Sequence, residues 1–188
     1  ADRLQTPVLV LSDLELGMNE NLSEPLVWDD ARRYDRGKVL NAHQLDEVET
    51  FGRYLDVDGD GVGYRTLPGT HPDKGAFFTR GTSRDEYAAY TESPDAYQRN
   101  MERLQLKWQT ARQLVPKAEI VGRGGSVGVL YFGTTSLPIP EALDKLAVKG
   151  IHLDTCRVRA FPFGNEVGAF VAEHLSLIHI SEPTRRAI

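Results

Sequence analysis

Asp56-Val57-Asp58-Gly59-Asp60-Gly61 sets three carboxylates at alternate positions of a glycine-containing stretch. Carboxylates spaced this way can converge on one hard cation, and D-x-D-x-D-G is how a calcium loop opens. The twelfth position of such a loop should be a bidentate Glu, and here it is Leu67. Helical periodicity is also missing after the loop. The expectation is a solvated acidic turn, with no metal assigned.

Gly59-Asp60-Gly61 admits a second chemistry, because a Gly-Asp-Gly start and a later Asn together hold Mg²⁺ in thiamine-diphosphate enzymes. The first Asn afterwards is Asn100, too far on and inside an amphipathic helical pattern, so no cofactor-binding residue is assigned. His71, Lys74 and Arg80 are the substrate or interface candidates. Their charges suit anionic groups of a substrate or of a partner, and Arg offers a bidentate donor fork. The same residues could instead hold an irregular loop against the body of the protein. Gly133-Thr134-Thr135-Ser136 falls between a strand pattern and a helix pattern, at the carboxyl edge where anions are favoured; a tight turn with a hydroxyl cap is the simpler reading. Cys156 sits within a strand pattern and reads as a small core residue. No Ser/His/Asp triad or H-x-x-x-H pair stands out, and no catalytic residue is assigned.

Positioning such residues takes a folded chain, and the composition provides one. The 188 residues are 40% hydrophobic and 26% charged, which is ordinary for a globular protein. A net charge of −5 with scattered Lys and Arg argues against nucleic acid as a main partner. The longest apolar run, Pro7 to Leu11, is far below the roughly 20 residues of a membrane span, and no signal-peptide pattern opens the chain. One cysteine excludes an internal disulfide or a cysteine-built cluster. The expected location is the cytoplasm.

Three stretches follow. Thr6 to Asp13, with Pro-Val-Leu-Val-Leu at its centre, reads as a buried parallel strand, and residues 13 to 40 as a looping segment. Asn41 caps a helix whose apolar positions are Leu45, Val48, Phe51 and Leu55. Residues 56 to 92 form a connection far longer than the usual loop of about 4–6 residues, and are expected to cover a site or partner. Ser93-Pro94 begins the clearest helix, striped by Tyr97, Met101, Leu104, Trp108, Ala111 and Val115 and stopped by Pro116. This stripe reads as core or subunit interface. Then come a strand at Val127–Phe132, a helix at Glu141–Lys149, a strand at His152–Phe161 and a helix at Glu166–Glu173. Such alternation implies a parallel α/β sheet.

Both ends read as cut. A buried parallel strand needs neighbours, and nothing precedes the first one. Residues 175–188, LSLIHISEPTRRAI, resemble the in-frame translation of a transposase sequencing adapter, so they are read as a non-native tail and His179 is left out of any site.

Thr6 to Asn19 (TPVLVLSDLELGMN) resembles the end of the pyrimidine-binding domain of 2-oxoacid:ferredoxin oxidoreductase alpha subunits. Phe51–Tyr54, Asp58–Gly61, Tyr64–Gly69 and Gly75–Gly81 are similar to the same family, as is Arg157–Phe163, which matches its transketolase-C-terminal-like domain. The 2-oxoglutarate type is the nearest resemblance, over residues 1 to 174. It implies an α/β fold in four parts: the end of a pyrimidine-binding domain (1–40), a connecting segment with the long loop and helix (41–122), a truncated transketolase-C-terminal-like domain (123–174) and the tail (175–188). It further implies an alpha subunit that pairs with a beta subunit. That complex converts a 2-oxoacid and CoA to acyl-CoA and CO₂ and passes electrons to ferredoxin. Thiamine diphosphate, Mg²⁺ and an iron–sulfur cluster would belong to the parent complex, none anchored by this stretch, which is expected to be inactive alone. Pyruvate or branched-chain 2-oxoacids are alternative substrates. A reading from another class is a non-catalytic α/β interaction or cation-binding module built around the acidic loop.

Overall fold

The computed structural model describes residues 1–20 and 22–180; the distal part of the predicted tail, 181–188, lies outside the described residues. The backbone divides into two units, one formed by residues 1–9 and 28–111, the other by 10–27 and the chain from Arg112 onward.

The first unit is rich in loops. Helix α2, Ala42–Glu47, begins as predicted at Asn41: the Asn41 side chain accepts from the Gln44 N–H while the Gln44 side chain accepts from the Asn41 N–H, a reciprocal capping box. Leu45 is fully buried. The helix is shorter than its apolar spacing suggested. Val48 is already extended, and the Lys74 ammonium takes the carbonyls of Leu45, Asp46 and Val48, closing the helix where the expected pattern would have continued to Leu55. From there to Ser93 the backbone forms no further helix or strand, only the isolated bridges Val39–Arg65 and Arg84–Tyr90. Helix α3, Pro94–Leu114, starts with the Tyr97 N–H donating to the Ser93 carbonyl. Ala96 and Ala111 are its buried positions. Tyr97, Leu104 and Trp108 of the stripe are exposed.

The predicted strand at Thr6–Asp13 is not formed. Val8 to Leu11 are 61–90% exposed, because a parallel strand acquires its hydrogen bonds only from adjacent strands and none pairs with it among the described residues. Asp13 instead caps the short helix α1, Leu14–Met18, accepting from the Leu16 N–H.

The second unit contains a mixed four-stranded sheet in the order β1-β3-β2-β4. Strands β2 (Val127–Tyr131) and β3 (Asp154–Arg157) are parallel, with Gly128 opposite Asp154, and are joined through α4, Ile139–Ala147. The expected β-α-β-α order therefore holds, with α5 at Asn165–Glu173. Two strands were not expected. β1, Glu119–Val121, adds an antiparallel edge to β3, and β4, Ser176–Ile180, adds a parallel edge to β2.

Alternation along β2 sorts its side chains to opposite faces. Val129 and Tyr131, with Val127 beside them, pack with Ile139 and Leu143 of α4 and with Leu153. Leu130 packs on the other face with Cys156, Val167 and Phe170. The unit is thus a three-layer α/β arrangement. Gly128 makes the second core possible, since a Cβ there would lie 2.8 Å from the Phe170 ring. No helix among the described residues is long and apolar enough to cross a membrane.

Candidate functional site

In the acidic loop, ligand atoms of Asp56, Asp58 and Asp60 all lie within 4.8 Å of one another, as the sequence spacing allows. The cation among them belongs to the protein. Lys38 Nζ lies 2.5 Å from Asp58 Oδ1 and 2.6 Å from Asp60 Oδ1, and also donates to the Val62 carbonyl. Burial opposes the charge on Lys38, but Asp58 and Asp60 outweigh it and hold the ammonium above its ordinary range. Asp60 is held low, its own burial overcome by Lys38 and the Val62 N–H. Asp56 accepts from the N–H groups of Gly59 and Gly61. Lys38 stands well upstream in the sequence, and no local pattern marked it as a partner.

His71 and Lys74 come together on α2. His71 Nε2 lies 3.0 Å from Asp46 Oδ1, while Nδ1 accepts from the N–H groups of Asp73 and Lys74. That acceptor role leaves the proton on Nε2, pointing at Asp46. With Lys74 bound to three carbonyls, both side chains fasten the loop to the helix. Arg80 is separate and exposed, its guanidinium 5.9 Å from the Tyr90 ring centroid.

In the second unit, Gly133–Ser136 forms a 3-10 turn directly after β2. An anion does meet its backbone, and it is internal: Asp13 Oδ2 accepts from the Thr134 N–H at 3.0 Å. The N–H of Leu16, followed by the hydroxyl and N–H of Thr134, holds the Asp13 carboxyl below its usual range. Cys156 is fully buried in β3, and burial pushes its thiol up, which keeps it from acting as a thiolate.

One polar pair escaped the sequence reading. Asp154, at the start of β3, accepts from the N–H groups of Gly125 and Arg123 and lies 3.3 Å from His174 Nε2. His174 Nδ1 donates to the Phe170 carbonyl at 2.6 Å. That carbonyl first, then Asp154, raises His174 above its ordinary value against the effect of burial, while the two backbone donors hold Asp154 low. The pair joins β3 to the end of α5, and its members lie too far apart in sequence to have been linked by spacing.

The thiamine-diphosphate and cluster chemistries find no fit among these residues. Asp60 is committed to an ammonium and a backbone donor, and Cys156 is the chain's single cysteine.

No family model matches the chain. The alpha subunit of 2-oxoacid:ferredoxin oxidoreductase 2 from Aeropyrum pernix is 29% identical over 169 residues, which is 87% of this chain and 25% of that protein. A solved structure of 2-oxoglutarate:ferredoxin oxidoreductase from Magnetococcus marinus, with 2-oxoglutarate, coenzyme A and succinyl-CoA bound, superposes with a TM-score of 0.60 at 22% identity. It covers 71% of this chain and 24% of that one, and shows the shared fold. The chain spans about a quarter of the length of these proteins. It is similar to one part of these 2-oxoacid:ferredoxin oxidoreductase proteins.

Proposed function

We propose that this chain is part of the alpha subunit of a thiamine-diphosphate-dependent 2-oxoglutarate:ferredoxin oxidoreductase of the cytoplasm. With a beta subunit, the whole enzyme would convert 2-oxoglutarate, CoA and oxidised ferredoxin to succinyl-CoA, CO₂ and reduced ferredoxin. The alignment with the Aeropyrum pernix alpha subunit supports the 2-oxoacid:ferredoxin oxidoreductase part of this reading. Residues 1–40 would be the end of the pyrimidine-binding domain, 123–174 the transketolase-C-terminal-like domain and 175–188 a non-native tail. No catalytic step is assigned to residues of this chain.

Its contribution is to cover and to join. Large apolar side chains stand exposed from Val8 to Trp28, and Phe77, Phe78, Tyr87 and Tyr90 stand exposed in the long connection. Taken unit by unit, exposed apolar side chains in such number are the kind of surface that a partner covers. Arg80, exposed beside Tyr90, is the residue best placed for an ion pair with the beta subunit, since His71 and Lys74 are committed within the chain.

The test is acyl-CoA formation from 2-oxoglutarate, pyruvate and branched-chain 2-oxoacids, by the purified chain and by the complete alpha subunit with its beta subunit. The chain alone should be inactive and the complex should prefer 2-oxoglutarate. Turnover by the chain alone would refute the proposal, and preference for another oxoacid would correct the substrate.

A further inference from the structure

His174 closes the end of α5 with both of its ring nitrogens. Nδ1 lies 2.6 Å from the Phe170 carbonyl oxygen, and Nε2 lies 3.3 Å from Asp154 Oδ2. A backbone carbonyl can only accept a hydrogen bond. Asp154 is restricted in the same way, because the N–H groups of Gly125 and Arg123, bonded to its Oδ1, hold the carboxyl low and ionised. Two obligate acceptors therefore face one imidazole. The neutral ring carries a single N–H and can serve only one of them, whereas the imidazolium serves both.

The surroundings fix the ring in this position. The His174 side chain is 6% exposed, and its ring lies against that of Phe170 with centroids 4.2 Å apart. Gly128 of β2 admits it, since a Cβ there would stand 3.0 Å from His174 Cγ. Asp154 from β3 and Glu173, its neighbour on α5, both favour the cation. Arg123, in the loop before β2, sends its guanidinium to Asp144 of α4 instead, and β4 carries His179 at the register of Leu130. Just past the ring, the Leu175 N–H donates to the Ser126 carbonyl and ties the chain to the same loop.

We propose that His174 is a proton-operated latch: as the imidazolium it fastens the last turn of α5 to the start of β3, and as the neutral ring it gives up one acceptor and loosens that turn. α5 supplies Val167 and Phe170 to the core that encloses Cys156, so the latch sets how tightly one face of the sheet is closed. The Phe170 carbonyl first, then Asp154, raises His174 above its ordinary value against burial. Release therefore falls on the neutral-to-alkaline side of that value, within reach of physiological pH. All the groups involved lie in the α/β unit, and the latch is independent of the enzyme reading above.

Nitrogen NMR of the full chain with ¹⁵N-labelled histidine, paired with amide hydrogen exchange, tests the latch. Below the ordinary histidine value of about 6.5, both ring nitrogens of His174 should carry protons. As pH rises through its transition, the amides of the last turn of α5 and of Leu175 should lose protection about tenfold, after correction for the intrinsic exchange rate, as expected for one charge-assisted bond. Asp154→Asn keeps an oxygen for the Gly125 and Arg123 N–H groups but removes the charge, and should move the transition to lower pH. His174→Gln should fold, as circular dichroism would verify, and should lack the pH-dependent loss. A singly protonated ring below the ordinary value, protection unchanged through the transition, the same loss in His174→Gln, or an unmoved midpoint in Asp154→Asn would each overturn the proposal.

Discussion

The α/β unit is held by two apolar cores on opposite faces of its sheet, whereas much of the loop-rich unit is held by cations reaching backbone carbonyls. Val129, Tyr131, Ile139, Leu143 and Leu153 fill one core and Cys156, Val167 and Phe170 the other. Each such side chain taken from water contributes about 1.5–3 kcal/mol. In the loop-rich unit Leu45 is the one large side chain that is fully buried, and the long connection is fixed by Lys38, Lys74, Arg84 and Arg103, each donating to at least one main-chain carbonyl. Net gains from bonds of this kind are about 0.5–1.5 kcal/mol, more where a charge takes part. A segment with few apolar contacts can thus be ordered locally by polar clasps, but it should be the easier unit to loosen, and by salt.

The largest expected effect tests the cores. Phe170→Ala should destabilise the α/β unit by about 3–5 kcal/mol, the usual cost of an aromatic cavity. Trp28 and Trp108 both lie in the loop-rich unit, so urea unfolding followed by tryptophan fluorescence and by circular dichroism should separate the two. The circular dichroism midpoint should move much more than the fluorescence midpoint. A matching shift in both would show that the units unfold together and would break the comparison.

A second experiment sharpens the polar side. Lys38→Met removes the ammonium from Asp58 and Asp60, which are themselves partly exposed, so solvent discounts the loss to about 1 kcal/mol. Salt should shrink the difference from the wild type. The variant leaves three carboxylates facing one another, and it should gain a calcium response in thermal unfolding that the wild type lacks. Equal calcium responses in the two proteins would show that Lys38 does not take the cation's place.

How much of this was legible depended on sequence distance. The Asn41 cap, the helix opening at Pro94 and the β2-α4-β3-α5 order rest on local spacing, and the chain carries them openly. The strand expected near Val8 failed because its hydrogen bonds would have to come from other strands. The acidic triad was legible, but its occupant was not, since Lys38 lies in a different segment and nothing in the spacing of either points to the other. Among the site candidates, the charges of His71 and Lys74 were visible, yet only folding decides whether a cation meets a ligand or the end of α2. The Asp13–Thr134 and Asp154–His174 contacts are long-range in the same way.

The third prediction concerns pH in the α/β unit. His174 is raised in the folded protein, so its contribution is fully present below its unfolded value of about 6.5 and is lost as pH rises through the higher folded value. Stability measured by chemical denaturation should therefore decline relative to His174→Gln across neutral to mildly alkaline pH. Asp154, held low, works at the other end: its contribution is present above about 3.9 and is lost as pH falls through its folded value. Identical neutral-range profiles for wild type and His174→Gln would remove the ion pair from the account.

The smallest effect is expected at the sheet's outer edge, where β4 pairs with β2. An open edge offers unpaired N–H and C=O groups to any extended segment, whatever its origin. The side chains show the difference between pairing and packing. Leu177 and Ile178 remain 38% and 44% exposed and Leu175 92% exposed, and none of them joins either core. Val129, on the neighbouring strand, is buried against α4 and Leu153 and does not need β4 to cover it. A variant ending at Leu175 should accordingly lose less than about 1 kcal/mol, against the 2–5 kcal/mol typical of a large core truncation. The measurement is urea unfolding of the shortened chain beside Phe170→Ala. A loss as large as that of Phe170→Ala would make β4 an integral strand and would defeat the proposal that residues 175–188 are a non-native tail.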